Sequence, residues 1–311
     1  MTRVANLAQN RLIQHVILNT QERIQDRQLQ ISTLQKSQNY AGIAGDSNRL
    51  VTLEASGKRI DGFLNDNNFV QLRMETTLNS ISSVKSSLKD VKSLLFDILD
   101  DGALPDGVNK NDITDIKMAE VKDFLNVQVN GRYIFAGSKT DQQPVVPGDL
   151  NSAPNFDTNF DTTSEPSFYY QGDDVTMKAR IEEGVTLNYG ATAADPGFEK
   201  LIRVIRIIHS TSLSDANATQ KFQKALDLLN SAETDLSSLE LNVGTKLQQL
   251  DTTNKTLTDN KNFIDGVTSD LEGANTFQAV AELQQDQSML EASYNTLVRL
   301  SRLTLNDFLS G

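Results

Sequence analysis

Apolar residues recur at seven-residue intervals along both flanks of the chain, and this spacing predicts long helices. The clearest run lies in the second half, where eight residues stand on one heptad grid without a gap: Phe222, Leu229, Leu236, Val243, Leu250, Leu257, Ile264 and Leu271. A continuous helix over this run would be roughly 75 Å long at 1.5 Å per residue. Most other core-type positions of these heptads are polar or small, so we expect the helix to pack along a narrow stripe.

A second apolar stripe, in the first half of the chain, is the expected partner of that helix. Its spacings alternate between three and four residues, as in a coiled coil, and it stops before Gly102 and Pro105, residue types that normally end a helix. We therefore predict an intramolecular antiparallel helix pair. The predicted seam combines Ile81, Val84, Leu88, Val91 and Leu95 with Leu229, Leu236, Val243, Leu250 and Leu257.

Both ends of the chain carry a further apolar stripe, and neither stripe has an evident partner in the sequence. A lone amphipathic helix buries little apolar surface by itself. We therefore expect these stripes, which share the seven-residue spacing, to be covered by other molecules. The predicted subunit interface comprises Ile17, Ile24, Ile31, Leu283, Leu290, Tyr294 and Leu297.

The middle of the chain differs from its flanks in composition and in pattern. All six prolines lie between Pro105 and Pro196. A helix capped by Asn111 or Asp112 is expected to lead into this region and to end near residue 130. Short β-like runs bounded by Gly, Pro, Asn and Asp then follow, at 133–135, 168–170, 175–181 and 185–189. They predict a small antiparallel sheet.

Together these patterns predict a mainly α fold with a β-rich insert. The N- and C-terminal regions are expected to form a long antiparallel helix bundle or coiled coil, with a small antiparallel β domain in the middle. The predicted parts are an N-terminal helix at 1–40, helical rod segments at 41–130 and 199–272, a β-rich domain at 131–198, and a C-terminal helix at 273–311.

Composition and charge narrow the classes of function. The net charge of -12 and the pI near 4.7 argue against nucleic-acid and anionic-membrane binding, which need basic surfaces. Only 38% of residues are hydrophobic, which favours thin cores between paired helices. The chain has no cysteine, so disulfides and thiolate metal sites are excluded. No apolar run approaches the length of a membrane span.

No set of residues forms a recognisable catalytic, cofactor or metal motif. The two histidines, His15 and His209, lie far apart in the sequence. The segment 131–140, Gly-Arg-Tyr-Ile-Phe-Ala-Gly-Ser-Lys-Thr, resembles a phosphate loop, but five residues separate its glycines where four are needed, and Ser138 precedes the lysine. The acidic pair at 173–174 lacks the spacing of a calcium loop. We predict no catalytic residue, no cofactor and no metal.

Three stretches of the chain resemble the flagellin superfamily. The segment 131–140 is similar to the entry into that family's β domain. Tyr170-Gln-Gly-Asp173 and Ile181-Glu-Glu-Gly184 are similar to its β region, and the stretch from Val243-Gly244 to Tyr294 is similar to its C-terminal helices. The first two stretches, with the ending Leu-Thr-Leu-Asn-Asp-Phe-Leu at 303–309, favour the hook-associated proteins of the hook–filament junction over flagellin.

The resemblance implies a structural subunit of the bacterial flagellum and not an enzyme. Members of the family are exported unfolded, without a cleaved signal peptide, and assemble outside the cell between the first hook-associated protein and the flagellin filament. Their terminal helices form the inner tube and their β domain faces outward. The expected partners are further copies of the chain, the first hook-associated protein, flagellin, a flagellar export chaperone and the type III export apparatus, with no nucleic acid and no membrane.

Three other interpretations remain open from the sequence. The chain could be a flagellin that builds the filament itself. It could be a tip or translocator protein of a type III secretion system, since these proteins are also helical hairpins with an insert. An enzyme is the remaining class, although no motif supports it.

Overall fold

Six α-helices and two short β-hairpins make up the chain in the part that the computed structural model describes. That part is residues 2–43, 45–101 and 107–309, and side chains near the two ends are described from residue 11 to residue 299. The elements are α1 (Thr2–Thr33), α2 (Ser47–Asp101), α3 (Lys110–Leu125), β1 (Gln128–Val129), β2 (Arg132–Tyr133), β3 (Met177–Glu182), β4 (Val185–Tyr189), α4 (Pro196–Ser210), α5 (Ala218–Glu272) and α6 (Thr276–Leu309). The predicted fold class, mainly α with a β-rich insert, is confirmed.

The chain divides into two compact units. The first combines Met1–Arg59 with Asn260–Gly311, and so contains α1, α6 and the adjoining ends of α2 and α5. The second is Ile60–Asp259, which contains the rest of those two helices, α3, α4 and both hairpins. Among the described residues, no helix is both long enough and apolar enough to cross a membrane.

Charge is distributed unequally between the two units. The first unit has eleven Lys and Arg residues against eleven Asp and Glu residues, so its formal charge is zero. The second unit has eighteen basic and thirty acidic residues, and therefore carries the whole net charge of -12.

In the second unit, α2 and α5 run antiparallel along the heptad stripes. Lys85 Nζ lies 2.7 Å from Glu240 Oε2, and Lys92 Nζ lies 2.9 Å from Glu233 Oε2, so the pairs follow opposite order on the two helices. Around and beyond these ion pairs the seam residues are almost fully buried in one core: Ile81, Val84, Leu88, Val91, Leu95, Leu229, Leu236, Val243 and Leu250. Leu257, one heptad further along α5, is also buried.

Helix α4 lies inside the second unit and is buried on nearly all of its sides. Its apolar residues are at most 1% exposed: Leu201, Ile202, Val204, Ile205, Ile207 and Ile208. It lies close to α5 at Gly197. A Cβ atom at this position would come within 2.7 Å of Leu236 Cγ, so the close approach depends on glycine. On another side, the hydroxyl of Thr114 on α3 lies 2.9 Å from His209 Nδ1.

Helix α3 begins one residue before Asn111, the earlier of its two predicted caps. Asn109 is the N-cap, with an extended backbone, and its side-chain oxygen accepts the Asn111 N–H at 2.9 Å. Asn111 and Asp112 are therefore helical residues of the first turn, and the acidic side chain there suits the helix dipole. The helix ends at Leu125, earlier than predicted.

The insert contains less regular β-structure than the sequence predicted. β1 pairs with β2, and β3 pairs with β4, both antiparallel. The run 168–170 is not a strand: Pro166–Phe168 forms a 3-10 turn, and only Tyr170 forms a β-bridge, with Val145. A proline at 166 cannot donate a ladder hydrogen bond, which explains why a strand does not start there. Most of 141–176 is irregular chain.

Candidate assembly interface

Helices α1 and α6 pack against each other in the first unit. The Arg23 guanidinium lies 2.9 Å from Asp286 Oδ1, and the Arg27 guanidinium lies 2.6 Å from Glu282 Oε2. The two ion pairs occur in opposite order along the helices, so α1 and α6 are antiparallel. Asp286 and Thr20 are buried. The contact therefore combines polar groups with the apolar stripes of both helices.

The predicted interface residues lie on or beside the contacting faces of this pair. Ile17 is buried, and Tyr294 is 44% exposed and accepts a hydrogen bond from the Gln21 amide at 3.0 Å. The remaining five residues are partly buried: Ile24, Ile31, Leu283, Leu290 and Leu297. Helical spacing places Ile24 and Ile31 on the same face as Arg27.

The expectation that each terminal helix lacks a partner within the chain is therefore wrong. α1 and α6 each cover part of the other's apolar stripe. Their sequences did not reveal this pairing, because the two helices are more than two hundred residues apart and both stripes end without a local partner. Whether the seven residues also contact other subunits stays a prediction.

A second apolar stripe of α6 remains exposed on the outside of the pair. Phe277 is 90% exposed, and Val280 and Val298 follow at spacings of three and eighteen residues, which return to the same side of a helix. On α1 the exposed large apolar residues are Leu12, Val16, Leu18 and Leu29. Exposed apolar residues that share one helix face are typical of a surface that another molecule covers.

The junction between α5 and α6 is tied to the elbow that follows α1. The Lys36 N–H donates to Glu272 O at 2.7 Å, and the Ala274 N–H donates to Leu34 O at 2.9 Å. The Lys36 ammonium also donates to Leu271 O at 2.8 Å, so a cation caps the last carbonyls of α5. These bonds hold the start of α6 beside the end of α1.

The glycine-rich segment 131–140 forms a joint in the insert of the second unit, not a phosphate loop. Gly137 has a φ of 67°, and a Cβ atom there would come within 2.2 Å of Asp173 Oδ1. The Ser138 hydroxyl and N–H both donate to the Asp173 carboxylate and hold the pKa of Asp173 below its usual value. Lys139 Nζ donates to Gly172 O at 3.2 Å. The two stretches that resemble the flagellin superfamily here, 131–140 and 170–173, thus bind each other.

The remaining polar side chains with perturbed environments have structural partners. Burial raises the pKa of Tyr169, and it raises the pKa of Tyr170 to about 12, so both stay protonated as hydrogen-bond donors. Their hydroxyls donate to Ala193 O at 2.7 Å and to Asp173 O at 2.5 Å. His15 is exposed and His209 is buried beside Thr114. In the described ranges no group of three or more His, Asp or Glu residues is arranged to hold a metal ion.

The C-terminal helices match a known family in sequence. Residues 226–309, which cover most of α5 and all of α6, match the family described as the bacterial flagellin C-terminal helical region. None of the curated proteins compared with the whole chain matches it.

Several solved structures share the fold of the chain. A putative flagellar hook-associated protein from Vibrio parahaemolyticus has a TM-score of 0.55 at 17% identity, over 72% of this chain and 96% of that one. FlgL from Bacillus cereus has a TM-score of 0.52 at 16% identity, over 71% and 99%. Flagellar hook-associated protein 3 from Legionella pneumophila has a TM-score of 0.53 at 13% identity, over 71% and 98%.

The chain thus carries a flagellin-type C-terminal helical region on the fold of the flagellar hook-associated proteins. Two structures of that class that share its fold over 71% of this chain are FlgL and hook-associated protein 3. The resemblance to the flagellin superfamily that the sequence indicated is confirmed.

Proposed function

We propose that the protein is a structural subunit of the bacterial flagellum, at the junction between hook and filament, and that its copies assemble through the α1–α6 pair. The observation that carries this proposal is the exposed apolar stripe on α6, inside the segment that matches the flagellin C-terminal region. The flagellin match and the shared fold both support a flagellar structural role.

The exposed apolar residues of the pair would gain most from assembly. Phe277, Val280 and Val298 leave much of their surface in water in the single chain. Full burial of such a side chain stabilises a contact by roughly 1.5–3 kcal/mol. The interface proposed from the sequence, Ile17, Ile24, Ile31, Leu283, Leu290, Tyr294 and Leu297, would then hold the pair together and contribute its remaining exposed surface to neighbouring copies.

The charge distribution also favours assembly through the first unit. Because that unit has no net charge, close packing of many copies there brings together no excess of like charge. The acidic second unit would repel its counterparts if it were packed equally closely. The five-part division predicted from the sequence, with polymerisation helices at 1–40 and 273–311, fits this arrangement.

In this role the protein is secreted and extracellular, and it is exported without a cleaved signal peptide. Its partners are further copies, the first hook-associated protein and flagellin, after contact with an export chaperone and the type III export apparatus. The role requires no catalytic residue and no cofactor.

The alternative function is that of a flagellin that forms the filament itself. The match over residues 226–309 favours it, since that family is named for flagellin. The two functions differ in what the cell builds when the protein is missing.

Deletion of the gene in the source bacterium tests the junction role. Electron microscopy should show hooks without filaments, and flagellin should still be found in the culture medium, because subunits that cannot attach are lost from the hook tip. Filaments of normal length in the deletion strain would exclude the junction role. Loss of filaments with no flagellin in the medium would favour the alternative.

A further inference from the structure

One segment of the second unit, residues 149–167, lies as an irregular strap over α4. The strap ends in the first residues of the 3-10 turn Pro166–Phe168. Apart from that turn it contains no helix, and its β-pairing is a single bridge between Phe156 and Thr162. Its two ends are joined at the base, where the Val146 N–H donates to Tyr169 O at 2.9 Å and the Gly148 N–H donates to Phe168 O at 3.1 Å. The strap is therefore a closed loop that leaves and rejoins the rest of the insert at one place.

Two buried arginines of α4 hold the strap. Arg203 donates to Thr162 O at 2.9 Å. The Arg206 guanidinium lies 2.7 Å from Glu165 Oε2 and donates to Ser152 O at 3.0 Å. Both arginine side chains are at most 5% exposed, and the strap covers them together with Phe168, whose ring centre lies 3.7 Å from the Arg206 guanidinium carbon.

Cations of α5 add to this attachment, and the strap is acidic. Lys224 forms an ion pair with Asp161, and Lys221 Nζ lies 5.6 Å from the centre of the Phe156 ring. Residues 140–177 contain seven Asp and Glu residues and no Lys or Arg. An acidic segment thus lies on a cationic face, and opposite charges provide much of the contact.

The face of α4 beneath the strap is polar, unlike its other sides. Glu199, Arg203 and Arg206 are spaced by four and three residues, so they share one face, and Arg203 pairs with Glu199 at 2.8 Å. An amphipathic helix normally presents such a face to water. The apolar anchors of the strap are few, namely Leu150, Pro154 and Phe156. Removing the strap would therefore wet a charged face, and it would uncover the apolar core only where these few side chains pack against it.

The closed position also leaves one buried polar atom unsatisfied. Arg203 Nε is buried and has no hydrogen-bond partner. An unpaired buried donor costs free energy that water would relieve. Opening of the strap would hydrate this atom. The free energy gained in this way would offset part of the free energy lost with the contacts of the strap.

We propose that residues 149–167 form a lid that opens as one piece while the helices stay folded. Opening uncovers Arg206 and Lys224, whose carboxylate partners lie on the strap, next to Arg203 and Lys221, which stay paired with Glu199 and Asp215. The lid moves on its joined base, and its closed state is held mainly by charge pairs. This device is separate from assembly through the α1–α6 pair.

Chemical labelling of arginine side chains tests the lid directly. The full chain is treated with a dicarbonyl reagent specific for arginine, and modification of Arg203 and Arg206 is followed by peptide mass spectrometry. Both side chains react only when the lid is open. Glu165→Gln weakens the lid without changing either arginine, and should raise the labelling rate of Arg206 by about tenfold, the effect of losing roughly 1.4 kcal/mol. Raising the NaCl concentration to about 1 M should change the rate in the same direction.

A matched control and a stability measurement complete the test. Glu233→Gln removes the partner of Lys92 at a distant ion pair and should leave both labelling rates unchanged. The helical circular dichroism signal of Glu165→Gln should melt within a few degrees of the original protein, because the helices do not depend on the lid. The proposal is wrong if Glu165→Gln loses helical structure. It is also wrong if the arginines react at an unchanged rate, or only in denaturant that melts the helices.

Discussion

Single residues decide how the insert is joined, and Gly137 is the strictest of them. Its positive φ is a conformation that alanine adopts only with strain, and a Cβ atom would come within 2.3 Å of the Asp173 carbonyl oxygen. Gly137→Ala should therefore destabilise the fold by more than about 1 kcal/mol. Gly244→Ala is the control, since this helical glycine has open space around it and alanine should stabilise the helix by about 0.5–1 kcal/mol. Urea unfolding of both variants measures the difference, and equal signs would contradict this view of the joint.

The carboxylate of Asp173 makes the same joint sensitive to pH. Hydrogen bonds from the Ser138 hydroxyl and N–H, and from the Val175 N–H, lower the pKa of Asp173. A lowered folded-state pKa means that the charged form stabilises the fold at neutral pH, and that this contribution is lost as pH falls through the folded pKa. Asp173→Asn should melt below the original protein at pH 7, and the gap should narrow as the pH falls below about 4 and through the lower pKa of the folded state. A gap of equal size at pH 3 and pH 7 would show that the charge is not the cause.

Sequence alone could predict the glycine turn at this joint but not its partner. The spacing in 131–140 already excluded a phosphate loop. The contact of Ser138 with Asp173 joins residues thirty-five positions apart, and no local pattern records it. The same limit applies to the interface residues. Their spacing placed them on one helix face, but the spacing could not show that α1 and α6 cover each other.

At the scale of elements, the seam of α2 and α5 is the best-defined prediction. Leu236 is fully buried in it, whereas Leu241, five residues later on α5, is 72% exposed. Leu236→Ala should cost about 2–5 kcal/mol of unfolding free energy, because it leaves a cavity in the core. Leu241→Ala should change that free energy by less than about 0.5 kcal/mol. Chemical denaturation of both variants checks this, and similar costs would mean that α5 is rotated from the position described.

An element could be predicted from the sequence where neighbouring residues alone determine its conformation, and less well where other parts of the chain do. The heptad spacing that places Leu229 and Leu250 depends only on the helix itself, so it could be identified from sequence. The run 168–170 has β-forming residues, but Pro166 and the burial of Tyr169 decide its conformation. The cap of α3 shifted for a similar reason, since Asn109 competes with Asn111 for the same role.

At the scale of the whole molecule, the net charge lies in one unit and the exposed apolar stripe of α6 lies in the other. The first unit is neutral and exposes the α6 stripe, and the second unit carries the net charge of -12. Assembly through the first unit should therefore depend more on apolar contacts than on charge. Leu290 and Leu297 are partly buried within the chain, so changing them would disturb the pair as well as any contact between copies. Val280 and Val298 are exposed, so changing them tests contacts between copies without disturbing the packing of α1 against α6.

The measurement that tests this account most directly is restoration of filaments in the deletion strain by a double variant, Val280→Asp with Val298→Asp. Both side chains are exposed in the single chain, so the purified variant should melt at nearly the same temperature as the original protein. Burial of an unpaired carboxylate between copies is costly, so the variant should leave hooks without filaments under the electron microscope. Leu213→Asp, in the exposed loop between α4 and α5 of the second unit, is the control and should restore filaments. Filaments of normal number and length with the double variant would contradict assembly through this face of α6.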